Sequence, residues 1–89
     1  MSLSIMDLKQ KITSELMSKY NGKGNDPEIV DFMKADVAAI MANAMSNKTV
    51  TSYDQLWVRK IDDKSFQVKL RIFPIFIGST IKFDLKIGV

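Results

Sequence analysis

The sequence contains neither cysteine nor histidine. Without thiols there can be no disulfide and no thiolate metal site. Without imidazole the usual general base near neutral pH and the commonest metal ligand are both gone. Two prolines and four glycines are the only strong breakers, so turns are confined to a few places. No apolar run approaches the ~18–20 residues needed to cross a bilayer, and the N-terminus lacks a basic region followed by an apolar core. The sequence therefore predicts no membrane partner and no secretion by signal peptide. Carboxylates are present, but none forms an interpretable catalytic pair. The expectation is a protein that is not an enzyme, with no catalytic residues, no cofactor and no metal.

What is present points to one small domain over residues 1–89, with residues 1–4 read as an expression leader. A domain of this size buries only a little over ~60% of its unfolded surface, so it is marginal unless liganded or assembled. Hydrophobic residues make up 46%, which argues against disorder. The net charge of +3 is mildly basic. It permits contacts with nucleic acid or acidic proteins without demanding them.

The C-terminal third carries the clearest pattern. Phe66, Val68, Leu70 and Ile72 alternate with Gln67, Lys69 and Arg71; Ile81, Phe83, Leu85 and Ile87 alternate with Lys82, Asp84 and Lys86. A period of two means strand, here over 66–73 and 80–88. Pro74 marks the end of the first. A further strand over 53–61 alternates untidily, with Leu56 and Val58 on one face and Tyr53, Trp57 and Ile61 on the other. Asp62-Asp63-Lys64-Ser65 reads as a polar hairpin turn. It does not read as a cation site, because no further ligand stands at a suitable spacing.

The N-terminal half is helical. Ile5, Leu8, Ile12 and Leu16 recur at three or four, predicting a helix over 5–20 capped by Ser4. Asp26-Pro27 reads as N-cap and first helical residue of a second helix over 26–46. Its stripe is Ile29, Met33, Val37, Ile40 and Ala44, widened by Phe32, Met41 and Met45. Between the helices, Asn21-Gly22-Lys23-Gly24-Asn25 is a connector; a phosphate-cradling glycine loop needs a longer pattern placed after a strand. The expected fold class is α+β: two helices packed on one face of a small, mainly antiparallel three-stranded sheet, in the order α-α-β-β-β.

Three sets of residues are candidates for function. Ile81, Phe83, Leu85 and Ile87 form an apolar assembly strand that must be covered by its own sheet or a neighbour's. Trp57 and the cluster Phe73, Ile75, Phe76 and Ile77 are candidate interface residues. Lys69, Arg71, Lys82 and Lys86 form a basic row on the other face if the strands share a register. That row leaves a small basic nucleic-acid-binding domain as an alternative. Against it, Phe66 and Phe83 fall on the apolar rows, whereas single-strand binders need aromatics among the basic groups.

From Lys19 onward the order of features resembles the C-terminal domain of contractile, phage-type tail sheath proteins. The matching pieces are Lys19-Tyr20-Asn21-Gly22-Lys23, the helix over 26–45, Val50-Thr51-Ser52-Tyr53, the Pro-ended strand over 66–74 and the last strand over 81–87. The link before the first strand carries no glycine, unlike much of that family. The small baseplate proteins that initiate sheath assembly share a similar pattern. The resemblance implies a structural domain that surrounds an inner tail tube, with charged helical residues facing the tube. Terminal strands would be shared between neighbours. It also implies, as partners, other copies or sheath subunits and a tail-tube protein, and a place in a virion tail or in the bacterial cytoplasm before assembly.

Overall fold

The computed structural model describes residues 5–75 and 80–89. The elements are α1 (Ile5–Lys19), α2 (Ile29–Ser46), β1 (Val50–Asp62), β2 (Ser65–Pro74) and β3 (Ile81–Gly88). The strands form one antiparallel meander in the order β1-β2-β3. Both helices lie on one face of it, α2 against β1 and α1 against β3. This is the α+β arrangement that periodicity predicts. The residues assigned to a leader, with the Ser4 cap, fall outside the described residues.

Helix α1 buries Leu8, Ile12 and Leu16, one residue per turn on a single stripe. Asp7 in its first turn and Lys19 in its last complement the helix dipole. Helix α2 buries Ile29, Met33, Val37, Ile40, Met41 and Ala44. Two expectations are corrected here. Phe32 and Met45 do not widen the stripe but are 46% and 37% exposed, because each lies about 100° or more around the helix from the stripe's middle. The helix also starts at Ile29, not Asp26. The Asp26 carboxylate accepts the Glu28 N–H at 2.9 Å, and the Ile29 N–H donates to the Asp26 carbonyl at 3.2 Å. Asp26-Pro27-Glu28 is thus a turn leading into the helix.

The end of α2 is sharply made. Lys48 takes a left-handed backbone, φ 64°. Its N–H donates to the Met45 carbonyl at 3.2 Å, and the Thr49 N–H reaches back to the Ala44 carbonyl at 2.9 Å. This is the Schellman pattern, which usually places glycine where Lys48 stands. A lysine there costs roughly 1–2 kcal/mol in backbone sterics. Thr49 is buried, but its hydroxyl donates to Asn47 Oδ1 at 2.6 Å. The helix therefore stops without a glycine link, and the chain turns directly into β1.

Strand β2 is central. Phe66, Val68, Leu70 and Ile72 are at most 2% exposed and stand opposite Ile87, Leu85, Phe83 and Ile81 of β3. This ladder carries no register shift. The β1–β2 ladder is different: Asp54 pairs with Arg71 and Trp57 with Lys69, so Gln55 and Leu56 together oppose Leu70. Gln55 has φ 55°, and the irregularity is a β-bulge. It resolves the untidy alternation. Tyr53 lies on the core face with Leu56 and Val58, not with Trp57 and Ile61 as strict alternation implies.

The connector between the helices closes one end of the sheet. Gly22 adopts φ 76°, and its N–H points to the Val89 carbonyl at 3.4 Å; the Val89 N–H donates to Lys64 at 2.8 Å. Gly24 is buried there, and a β-carbon on it would stand 1.7 Å from the Asp63 carbonyl oxygen. Glycine is required at this point by close backbone approach.

Candidate functional site

The candidate residues separate by sheet face. Phe83, Leu85 and Ile87 are buried at 5%, 3% and 0% exposure, and Ile81 is half-buried. Their row is covered by the chain's own helices, chiefly α1. Strand β3 borders β2 alone, so among the described residues its other edge meets no strand. Ile75 is half-buried just beyond β2. Phe76 and Ile77 lie outside the described residues.

The opposite, outer face is polar and cationic. Lys69 stands beside Asp84, Arg71 beside Lys82 and Gln67 beside Lys86 on β2 and β3. On the other flank of β2, Asp54 stands beside Arg71, Trp57 beside Lys69, Arg59 beside Gln67 and Ser52 beside Phe73. Lys69, Arg71, Lys82 and Lys86 therefore do share one face. Arg59, Lys69, Arg71, Lys82 and Lys86 face Asp54, Asp84 and, at the hairpin end near Lys86, Asp62, which leaves a surplus of two positive charges on this face.

These groups are partly organised by one another. Arg71 makes a two-pronged contact with Asp54, Nε to Oδ1 at 2.8 Å and Nη2 to Oδ2 at 2.5 Å. The hydrogen bonds to Arg71 hold the Asp54 carboxyl below its ordinary range, and Asp54 in turn raises the guanidinium. A second chain crosses all three strands. Arg59 Nη2 donates to Gln67 Oε1 at 3.1 Å and Gln67 Nε2 to Asp84 Oδ1 at 2.7 Å. Lys69 Nζ is 3.9 Å from Asp84 Oδ2. Such exposed pairs orient side chains more than they stabilise the fold.

Two aromatics stand among these cations. Trp57 is 41% exposed, with the Arg59 guanidinium 5.4 Å and the Lys69 ammonium 5.6 Å from its ring. The Arg71 guanidinium lies 5.1 Å from the half-buried Phe73 ring. These are cation–π distances. Phe66 and Phe83 are in the core, as their rows predict. Trp57 and Phe73, by contrast, share the basic face. Arg59 was legible as a neighbour of Trp57, two positions along the strand. Asp54 was not, because the bulge lies between it and Trp57.

Elsewhere, the Tyr20 hydroxyl donates to Asp36 Oδ2, and Lys19 Nζ reaches Asp36 Oδ1 at 2.9 Å, tying the end of α1 to α2. Burial first, and then the hydrogen bond to Asp36, push the Tyr20 hydroxyl well above the usual tyrosine range. The Asp62 carboxylate accepts the Lys64 N–H at 2.7 Å and the Ser65 hydroxyl at 2.9 Å. These bonds hold it below its ordinary range and bind the hairpin turn together. Among the described residues no three acidic side chains gather as a metal site. No family model, curated protein or solved structure matches the chain.

Proposed function

We propose that this chain is a structural assembly module that associates by strand sharing, resembling the tube-surrounding C-terminal domain of a contractile tail sheath protein. Its partners are then other copies or sheath subunits and a tail-tube protein, in a virion tail or, before assembly, in the bacterial cytoplasm. The observation that carries the reading is the edge of β3. It spans eight residues, Ile81–Gly88, pairs with β2 without a register shift and meets no strand on its far side among the described residues. An unbroken, unpaired edge is a template for another strand. The other edge, β1, is interrupted by bulges, which blunt such pairing.

Magnitudes decide how sharing works. Phe83, Leu85 and Ile87 are fully buried and contribute roughly 1.5–3 kcal/mol each. Their sum rivals the roughly 4–13 kcal/mol of net stability open to a domain of this length. Giving β3 away would therefore undo the donor, unless a second copy returned the same strand. Adding a strand to its free edge leaves the core intact, so β3 acts as acceptor.

The test combines sedimentation velocity with hydrogen exchange at low and high protein concentration. Association should rise with concentration, and amides of β3 should exchange more slowly in the associated state. A chain that stays monomeric at every concentration, or one that associates with β3 exchange unchanged, would overturn the reading.

A further inference from the structure

We infer that the outer face of the sheet is a binding platform for single-stranded nucleic acid, centred on Trp57. The inference does not rest on the assembly reading, which uses the strand edge and leaves this face open. Three observations carry it. First, this face carries five cations against three carboxylates, Asp54, Asp84 and the hairpin-end Asp62, a surplus of two positive charges. Arg71 is engaged by Asp54 and Lys69 weakly by Asp84, while Lys82 has no ion pair among the described residues. Second, Trp57 is 41% exposed, with the Arg59 and Lys69 cations 5.4 Å and 5.6 Å from its ring centre, so groups that attract phosphate stand beside an accessible indole. Third, the surface beside it is concave. A groove of about 330 Å³ is lined by Gln55, Trp57, Lys69, Arg71, Lys82 and Asp84.

The chemistry selects the ligand. Phosphates would be neutralised by Arg59, Lys69 and Lys82, and a base would stack on the indole. Such stacking is sequence-tolerant because every base offers a π face. A protein carboxylate surface would match the charge but leave the ring uncovered. Duplex DNA hides its bases, and a three-stranded sheet face offers no helix or two-stranded ribbon to enter the major groove. Phe73 provides a second aromatic, four residues along β2 from Lys69 or about 13 Å at strand spacing, so more than one nucleotide can lie along the face.

Trp57 is the chain's single tryptophan, so its emission reports on this face alone. The test titrates the protein with oligothymidylate, a matched duplex and polyglutamate in turn, at several salt concentrations. Oligothymidylate should quench the emission. Its affinity should fall with salt with a log–log slope of about −2, as expected for about three phosphates neutralised on a single strand. Lys82→Ala should flatten that slope by about 0.7. Trp57→Ala, followed by anisotropy of a labelled oligonucleotide, should weaken binding about tenfold. Unchanged emission, equal affinity for polyglutamate or duplex, or full binding by folded Trp57→Ala would each overturn the inference.

Discussion

The two faces of the sheet are built from the same strands and obey opposite rules. On the inner face, Phe66, Val68, Leu70, Ile72, Phe83, Leu85 and Ile87 are packed against two helices. Every atom there is dense with neighbours, and a polar replacement has no partner. On the outer face the neighbouring positions are water-facing and hold charges, amides and two aromatics. Few substitutions there should change stability by more than about 0.5 kcal/mol. The composition of the inner face is thus dictated by folding. That of the outer face is free of this demand, so folding does not account for the surplus of positive charge around an exposed Trp57.

The contrast can be broken most forcefully within a single pair of neighbours. Leu85→Asp places an unpaired carboxylate in the core and should cost several kcal/mol, enough to unfold most of the population. Lys86→Asp, one residue on but facing water, should shift the urea midpoint only slightly. Circular dichroism with urea titration checks both, and similar midpoints for the two would refute the assignment of faces. The same comparison shows why core substitutions such as Phe83→Asp are poor tests of association, since they remove the fold first.

A smaller effect is expected at the end of the sheet. Gly24→Ala drives a methyl into the Asp63 backbone and should destabilise by about 1–3 kcal/mol. Gly22→Ala has open space around it but a left-handed backbone, so its cost is backbone strain alone. Thermal melts of the two variants separate crowding from strain. A Gly24→Ala protein as stable as the parent would contradict the close approach described above.

The smallest effect sharpens the comparison with pH. Tyr20, at the end of α1, donates to Asp36 of α2, and its folded pKa lies above the ordinary value of about 10. A raised pKa contributes stability that is complete below about pH 10 and fades as pH rises through the folded value. Tyr20→Phe should therefore cost about 1.5 kcal/mol near neutrality, and the gap to the parent should narrow above about pH 10. A gap that widens with pH would show that the hydroxyl is not acting as the donor.

Much of the fold was legible because its signals are local. Strands 66–73 and 80–88 announce themselves by strict alternation, and the helical stripes by spacing of three and four. Their facing register then follows from keeping both apolar rows under one layer of helices. The outer face was less legible because it depends on pairing across strands. Trp57 meets Lys69 only through the β1–β2 register, and that register is displaced by Gln55, whose glutamine side chain gives no hint of a positive φ. Gly24 likewise reads as one more connector residue until Asp63 and Val89 arrive beside it.

The bulge at Gln55 has one more consequence. It is the supernumerary residue of β1: removing it would leave Asp54, Leu56, Trp57 and Val58 alternating on the faces they already occupy, now against an uninterrupted β2. The loss would be felt at the rim. The middle of β1 would become as straight a border as β3, giving the molecule adhesive margins on both flanks. Objects sticky on one side stop at pairs; objects sticky on two opposite sides grow into fibres. One glutamine thus keeps the middle of β1 from being a straight edge, while the shifts near its two ends would remain.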